Sequence, residues 1–190
     1  GGNGGGNDIL NVDGATMGTA TFTVAENNTL VGTAAQLNGV AVTGDGTTSI
    51  TALHATLNAD LSDIATGSIT AAFGSSGTFT GDLGAAVVTV ADNVSLTGAA
   101  NKLVSHTINK SGTGDNNGAI VVTLNALADA GVDLTNVGGT VDITSITIAD
   151  NLTFTGTLHG AAATTVANEV TLTTTAVIAD NKFIGEADGT

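Results

Sequence analysis

The sequence predicts an all-β protein, and its first choice of architecture is a repeat-built β-solenoid (β-helix-like) with short strands. Threonine, valine and isoleucine, which favour a pleated backbone, are abundant, whereas the lysine and arginine that a helical bundle would use total 3. Short alternations of apolar and polar residues recur between Gly, Asn and Asp turns. Aromatic residues make up only 3 %, so the core must consist of thin layers of small side chains. Antiparallel β-sandwich units are the alternative.

One motif recurs along the chain and anchors this prediction. It occupies residues 88–98, with further copies at 22–32 and 146–156 and looser copies at 165–174 and 177–181. Each copy places an acidic or amide pair between two apolar–threonine alternations. The pattern predicts a strand, an Asx turn that tolerates left-handed backbone, and a second strand.

Two longer segments also return. Residues 57–64 resemble 127–137, and residues 79–86 resemble 154–162. Together with the motif copies, they predict an internal repeat of roughly 65–75 residues, present about two and a half times. The stretch from Thr33 to Gly39 predicts one short helical turn that ends at the glycine.

These boundaries divide the chain into four parts that we expect to form one continuous domain. They are a glycine-rich arm (1–14), repeat unit 1 (15–76), repeat unit 2 (77–146) and a shorter terminal unit (147–190). A longer loop at 111–118 interrupts unit 2, as insertions in repeat proteins commonly do.

The charge balance restricts the possible partners. The chain carries 17 Asp and Glu against 3 Lys and Arg, a formal net charge of -14. Nucleic acid is not expected as a partner, because phosphates are bound by Lys and Arg. No apolar run approaches the roughly 20 residues of a membrane-spanning helix. The absence of cysteine excludes disulfides and thiolate chemistry.

Nothing in the sequence predicts an enzyme. His54, His106 and His159 are far apart and belong to no catalytic motif. Asp60 and Asp63 form an acidic pair, but the matching segment carries Asp and Asn, an exchange that a turn permits and acid–base catalysis does not. We therefore expect no catalytic residue and no small-molecule substrate.

Calcium is the expected cofactor. Hard cations prefer carboxylate and carbonyl oxygens, and two clusters in non-repeating segments supply them. The candidate ligands are Asn7, Asp8, Asn11 and Asp13 in the arm and Asp115, Asn116 and Asn117 in the long loop. Ordinary turn formation is the competing interpretation of both clusters.

Alternating threonines form a third candidate feature. They lie at Thr19, Thr21 and Thr23 and again at Thr171 and Thr173. A flat face of aligned threonines could bind ice or another surface, but their irregular spacing between units favours ordinary strand decoration.

The spacing of Gly4, Gly6, Asp8 and Leu10 resembles the calcium-binding nonapeptide of RTX proteins. With the acidic, cysteine-free composition and the repeats, the chain resembles bacterial extracellular surface proteins of the S-layer, RTX-adhesin or surface-filament type. That resemblance implies a non-enzymatic, calcium-stabilised structural protein at the bacterial cell surface.

The resulting functional expectation is self-assembly into a layer or filament. The partner would be a second copy, joined by strand addition through the arm, with Ile9, Leu10 and Val12 as the assembly strand. A β-rich spacer or ligand-binding module of a large adhesin, for a surface, glycan or ice, is the alternative. An enzyme built on a β-helix is a third possibility, which the scarcity of Lys, Arg and aromatic residues disfavours.

Overall fold

The computed structural model describes residues 7–112, 118–125, 129–160 and 162–187. Within them the chain forms two large parallel sheets, one small parallel sheet and a few short helices. Backbone hydrogen bonds join adjacent segments of the chain, as from the Gly39 N–H to the Asp60 carbonyl, 21 positions later, at 2.9 Å. We call the stretch of chain between two residues paired in this way a coil.

The first sheet has seven strands in the order β1-β3-β4-β5-β7-β9, with β2 also paired to β4. Its strands are β1 (Ile9–Asn11), β2 (Phe22–Thr23), β3 (Thr29–Thr33), β4 (Val42–Thr51), β5 (Ile64–Phe73), β7 (Val87–Val90) and β9 (Ile108–Lys110).

The second sheet has six strands in the order β15-β13-β11-β10-β8-β6, and β12 pairs with β14 in a third. These strands are β6 (Gly77–Phe79), β8 (Ser95–Ala99), β10 (Ala119–Leu124), β11 (Asp142–Ile148), β12 (Leu152–Thr153), β13 (Ala163–Val166), β14 (Leu172–Thr173) and β15 (Ile184–Glu186).

The sheet topology corrects the predicted fold class. Every pairing between the described strands is parallel, which excludes antiparallel sandwich units. The β-solenoid of short strands is not confirmed, because β4 and β5 each run for ten residues and short helices lie between some of the strands. The observed class is two parallel sheets of seven and six strands with few helices.

Alternation of inward and outward side chains explains why these segments form strands. In β3, Leu30 and Gly32 point inward between partly exposed neighbours, and β8 repeats the pattern with Leu96 and Gly98. The inward residues build one core that is mainly aliphatic. Three phenylalanines are also fully buried in it, namely Phe73, Phe79 and Phe154.

Within the described residues, three helices of four residues each connect strands. They are α1 (Ala34–Leu37), α2 (Ala100–Leu103) and α3 (Ala176–Ala179). Single 3-10 turns lie at Leu53–Ala55 and Leu134–Asn136. The predicted helical turn after Thr33 is confirmed as α1, and Gly39 follows it with a positive φ of 63°.

Thr33 and Gln36 form a capping box that starts α1. The Thr33 hydroxyl accepts the Gln36 N–H at 3.3 Å, and the Gln36 side-chain oxygen accepts the Thr33 N–H at 2.9 Å. The Gln36 amide nitrogen then donates to the carbonyls of Val12 and Ala15. This side chain therefore ties the segment after β1 to the first helix.

The recurring motif forms the predicted turn in most copies. Its third turn residue is left-handed at Asn27, Asn93 and Glu169, with φ between 61° and 66°. In each case the fourth residue donates its N–H to the carbonyl of the first, as from Val94 to Ala91 at 3.2 Å. The last copy, 177–181, differs: its first half is the helix α3, not a strand.

The motif copies do not occupy equivalent places in the sheets. In the copy at 88–98, β7 belongs to the seven-stranded sheet and β8 to the six-stranded sheet. In the copy at 22–32, both β2 and β3 pair with β4 of the seven-stranded sheet. The division into repeat units stays a prediction, and β5 pairs with β7 across the expected boundary between residues 76 and 77.

Candidate functional site

The exposed apolar side chains lie on the first and last elements of the fold. Among the described residues, the large hydrophobic side chains that remain exposed are Ile9, Leu10, Val177, Phe183 and Ile184. The first two lie on β1, and the other three lie on or beside α3 and β15. Apolar surface concentrated in this way is typical of contact sites.

β1 is the open edge of the seven-stranded sheet. It pairs with β3 on one side, and the Thr29 N–H also donates to the Asp8 carbonyl at 2.8 Å. Ile9 is 70 % exposed and Leu10 is 56 % exposed. The predicted assembly strand therefore lies at a sheet edge, although its third residue, Val12, packs in the core.

An apolar cavity opens beside this edge. It has a volume of about 160 Å³ and lies between β1, β2, β3 and the turn that joins β2 to β3. Leu10, Phe22, Val24 and Leu30 line it, and Asp8 stands at its wall.

The last described elements form the opposite exposed edge. β15 pairs only with β13, and the Thr164 N–H donates to the Phe183 carbonyl at 2.8 Å. That bond fixes the backbone of Phe183, while its ring is 78 % exposed. The sequence contained a signal for this edge, an apolar pair within polar residues at 181–186, which our sequence analysis missed.

The predicted calcium ligands of the arm are exposed and partly engaged in local structure. The Asn11 side-chain oxygen accepts the Asp13 N–H at 2.8 Å, an Asx turn. The Asp8 N–H donates to the Asn28 side chain at 3.2 Å. Asn7 is exposed and lies beside Asp8.

The other calcium candidates are Asp115, Asn116 and Asn117, which lie outside the described residues. Within the described part of the chain, the structure brings together no group of three or more His, Asp or Glu that could hold a metal ion. Calcium binding stays a prediction.

The acidic pair of the sequence analysis forms a turn. The Asp60 carboxylate accepts the Ser62 hydroxyl at 2.6 Å and the Ser62 N–H at 3.0 Å. These bonds lower the pKa of Asp60, the serine hydroxyl most strongly. Asp133 and Thr135 repeat both bonds at the same distances. A general acid would need the opposite shift, so this geometry favours the turn interpretation.

The three histidines occupy separate places. His54 accepts the Gly74 N–H through Nδ1 at 3.1 Å and meets the Phe73 ring edge-on, with the ring centres 6.3 Å apart. His106 is half-buried, and burial lowers its pKa while the charge of Asp82 opposes that shift. His159 is partly buried, and its Nδ1 has no hydrogen-bond partner among the described residues.

The outer faces of both large sheets carry rows of hydroxyl side chains. The strand register aligns Thr29, Thr47 and Ser68 on the seven-stranded sheet. It aligns Thr123, Thr147 and Thr165 on the six-stranded sheet. Neighbouring strands lie about 4.8 Å apart, so these rows are regular.

The threonines that the sequence pattern suggested for such a face are different ones. Thr19 and Thr21 precede β2 and lie outside the strands, whereas Thr23 and Thr173 each end a two-residue strand. The aligned threonines were missed because their alignment depends on strand register, which sequence spacing does not fix.

Comparison with protein-family models, with curated proteins and with solved structures finds no match to this chain. Among the residues that the structure describes, no helix has the length and apolar character needed to cross a membrane.

Proposed function

We propose that this chain is a non-enzymatic structural protein, a self-assembling subunit of an extracellular layer or filament at the bacterial cell surface. The observation that carries the proposal is the placement of the exposed large hydrophobics on the first and last elements. An enzyme would instead concentrate unusual chemistry in one cleft.

The open edges supply a physical means of assembly. An edge strand presents unpaired N–H and C=O groups, and proteins that stay monomeric usually protect such edges with charge, proline or a covering segment. β1 carries Ile9 and Leu10 at its edge instead of Lys or Pro. A second copy could therefore add a strand there and bury both side chains.

Calcium remains part of the proposal because of the charge. Copies that each carry a net charge of -14 repel one another at low ionic strength. Divalent cations bound by oxygen ligands would reduce this repulsion at the joint. The extracellular location rests on the acidic, cysteine-free composition and on the resemblance to surface proteins.

Sedimentation velocity over a wide range of protein concentration, with calcium and with chelator, tests the proposal. The wild-type chain should form larger species as concentration rises, and calcium should lower the concentration required. Leu10→Lys should suppress assembly, whereas Thr70→Lys, an equal charge change at an exposed position away from β1, should not. Assembly that Leu10→Lys leaves unchanged would remove β1 from the proposal.

A second candidate function rests on the hydroxyl rows of the outer sheet faces. Regular rows of threonine on a flat face suit a binding module for an ordered surface such as ice. The row of Thr123, Thr147 and Thr165 supports this candidate most directly, because all three of its residues are threonines.

Inhibition of ice recrystallisation tests this candidate. The wild-type chain should slow crystal growth, and Thr147→Asp should abolish the effect by charging the middle of the row. Ser75→Asp, at an exposed position outside the strands, should leave it unchanged. Ordinary crystal growth with the folded wild-type chain would exclude ice as the ligand.

A further inference from the structure

Building on the proposed self-assembly, we infer that the contact between copies is directional. At its centre, the Phe183 ring of one copy binds in the apolar cavity of the next. The occupant of the cavity is thus a second copy of this chain. The contact joins two different surfaces, the cavity beside β1 and the edge at β15.

The cavity has the size and lining for a benzene ring. Its volume is about 160 Å³, and apolar cavities of about 150 Å³ bind benzene, the ring that phenylalanine carries. Leu10, Phe22, Val24 and Leu30 supply an apolar wall, and two of them, Val24 and Leu30, belong to the core. A ring placed here would complete the core of the receiving copy.

Phe183 is the side chain suited to fill it. The phenylalanines of the core, such as Phe79 and Phe154, are fully buried, whereas Phe183 lies outside the core and is 78 % exposed. Its backbone is fixed by the bond from Thr164, so the ring projects from an ordered strand edge. Leaving this ring in water forgoes the burial that stabilises its counterparts.

Charge favours the same pairing. The chain has only 3 basic residues, and one of them, Lys182, precedes Phe183. Asp8 stands at the wall of the cavity, and Glu26 lies in the adjoining turn. Seating Phe183 brings Lys182 toward these acids, although the same segment also carries Asp180 and Glu186. Contact between two β1 edges would instead bring acids together with no lysine between them.

The head-to-tail nature of this contact determines the kind of assembly. A contact between two different surfaces leaves one of each free on the resulting dimer, so it propagates into an open filament or a closed ring. A contact between identical surfaces would stop at a dimer.

Disulfide trapping tests the joint, because the chain has no cysteine of its own. Thr23 is exposed at the cavity wall. Gly185 lies two residues after Phe183, is exposed, and has nothing within 4 Å of an added Cβ, so a thiol there leaves the ring in place. Thr23→Cys and Gly185→Cys variants are therefore mixed and oxidised. The mixed dimer should form on the order of tenfold faster than the dimer from Thr70→Cys and Gly185→Cys, since docking of the intact Phe183 ring raises the local concentration of the two thiols. Equal rates for both pairs would overturn the inference.

Two surface variants test the same joint without cross-linking. Phe183→Ala and the cavity-filling Thr23→Trp should each raise the concentration needed for assembly about tenfold or more, because each removes ring burial. Both positions are exposed, and an unchanged circular dichroism spectrum confirms the fold. Unchanged assembly of both folded variants overturns this joint and leaves the proposed function standing. A wild-type chain that stays monomeric at every concentration overturns both.

Discussion

The carboxylate of Asp129 caps the first turn of α2 by accepting the backbone N–H of Asn101 at 3.0 Å. Its other oxygen accepts the Asn125 N–H at 2.8 Å, just after β10. Asp129 is fully buried and lies 28 positions after Asn101. Its carboxylate therefore supplies, from a later coil, the hydrogen-bond acceptor for an N–H group in the first turn of α2. The buried carboxylate thereby joins two successive coils.

Removing this carboxylate should destabilise the fold markedly. Asp129→Ala leaves the N–H groups of Asn101 and Asn125, both in part-buried hydrogen bonds, without this acceptor, which should lower the free energy of unfolding by about 1–3 kcal/mol. Asp129→Asn keeps one acceptor oxygen and should lose less. Urea denaturation measures both variants. The matched control is Asp142→Ala, which removes the same charge from an exposed position and should stay within about 0.5 kcal/mol of wild type. Equal effects at both positions would contradict the capping role.

Gly156 should be far less tolerant of substitution than Gly98, which occupies the same position in the motif copy at 88–98. A Cβ at Gly156 would lie 1.9 Å from the Val132 carbonyl oxygen, a backbone atom of the adjacent coil. Gly156→Ala should therefore cost about 3 kcal/mol through forced separation of the coils. At Gly98 the nearest atoms are two Leu103 side-chain carbons at 3.1 Å and the Phe79 carbonyl oxygen at 3.2 Å, so an added Cβ requires a shift of only a few tenths of an ångström. Thermal unfolding of both variants checks the difference, and equal melting temperatures would refute it.

Protonation of His106 should weaken the fold in mildly acidic solution. Burial lowers its pKa below the ordinary 6.5, so the folded state favours the neutral ring. The unfolded chain then takes up a proton that the folded chain does not. This contribution to stability is complete above pH 6.5 and is lost as pH falls toward the lowered pKa. The pKa of Asp60 is also lowered, but its contribution is lost only below pH 3.8.

Denaturation of wild type and His106→Gln at pH 7.5 and pH 5 measures this effect. Wild type should lose more stability between the two pH values than the variant does, since the other titrating groups are common to both. Asp82→Asn should lower the pKa of His106 further, because the opposing charge is gone. A histidine NMR titration measures the pKa of His106 directly. A higher pKa in Asp82→Asn than in wild type would contradict the role of Asp82 as the opposing charge.

Local features were the most predictable part of this fold. The helical turn at Thr33–Gly39 and the turns with left-handed Asn27 and Asn93 depend on residues close in sequence, and the structure contains them. The equivalence of the segments around Asp60 and Asp133 was also visible, because each pairs its aspartate with a hydroxyl residue two positions later.

Strand direction and alignment between coils could not be read from the sequence. Alternation of apolar and polar residues is the same for parallel and antiparallel strands, so the sandwich alternative stayed open. Coil lengths also vary: Leu30 pairs with Thr48, but Ile120 pairs with Ile143. These differences place β3 of one motif copy in the same sheet as β7 of the next, which the motif alone does not indicate.

The candidate site was predictable only in part for the same reason. Ile9 and Leu10 were identified because they follow the glycines within the arm (1–14). Phe183 could be recognised only once β15 was known to be an edge strand, because the last motif copy predicted a strand where α3 forms. The hydroxyl rows required the register of three strands each.

Negative-stain electron microscopy of the purified chain, with calcium and with chelator, tests the central claim most directly. We predict ordered filaments or layers that grow with protein concentration, form more readily with calcium and disappear in Leu10→Lys. Dispersed single particles in both conditions, at concentrations up to the solubility of the folded chain, would contradict self-assembly.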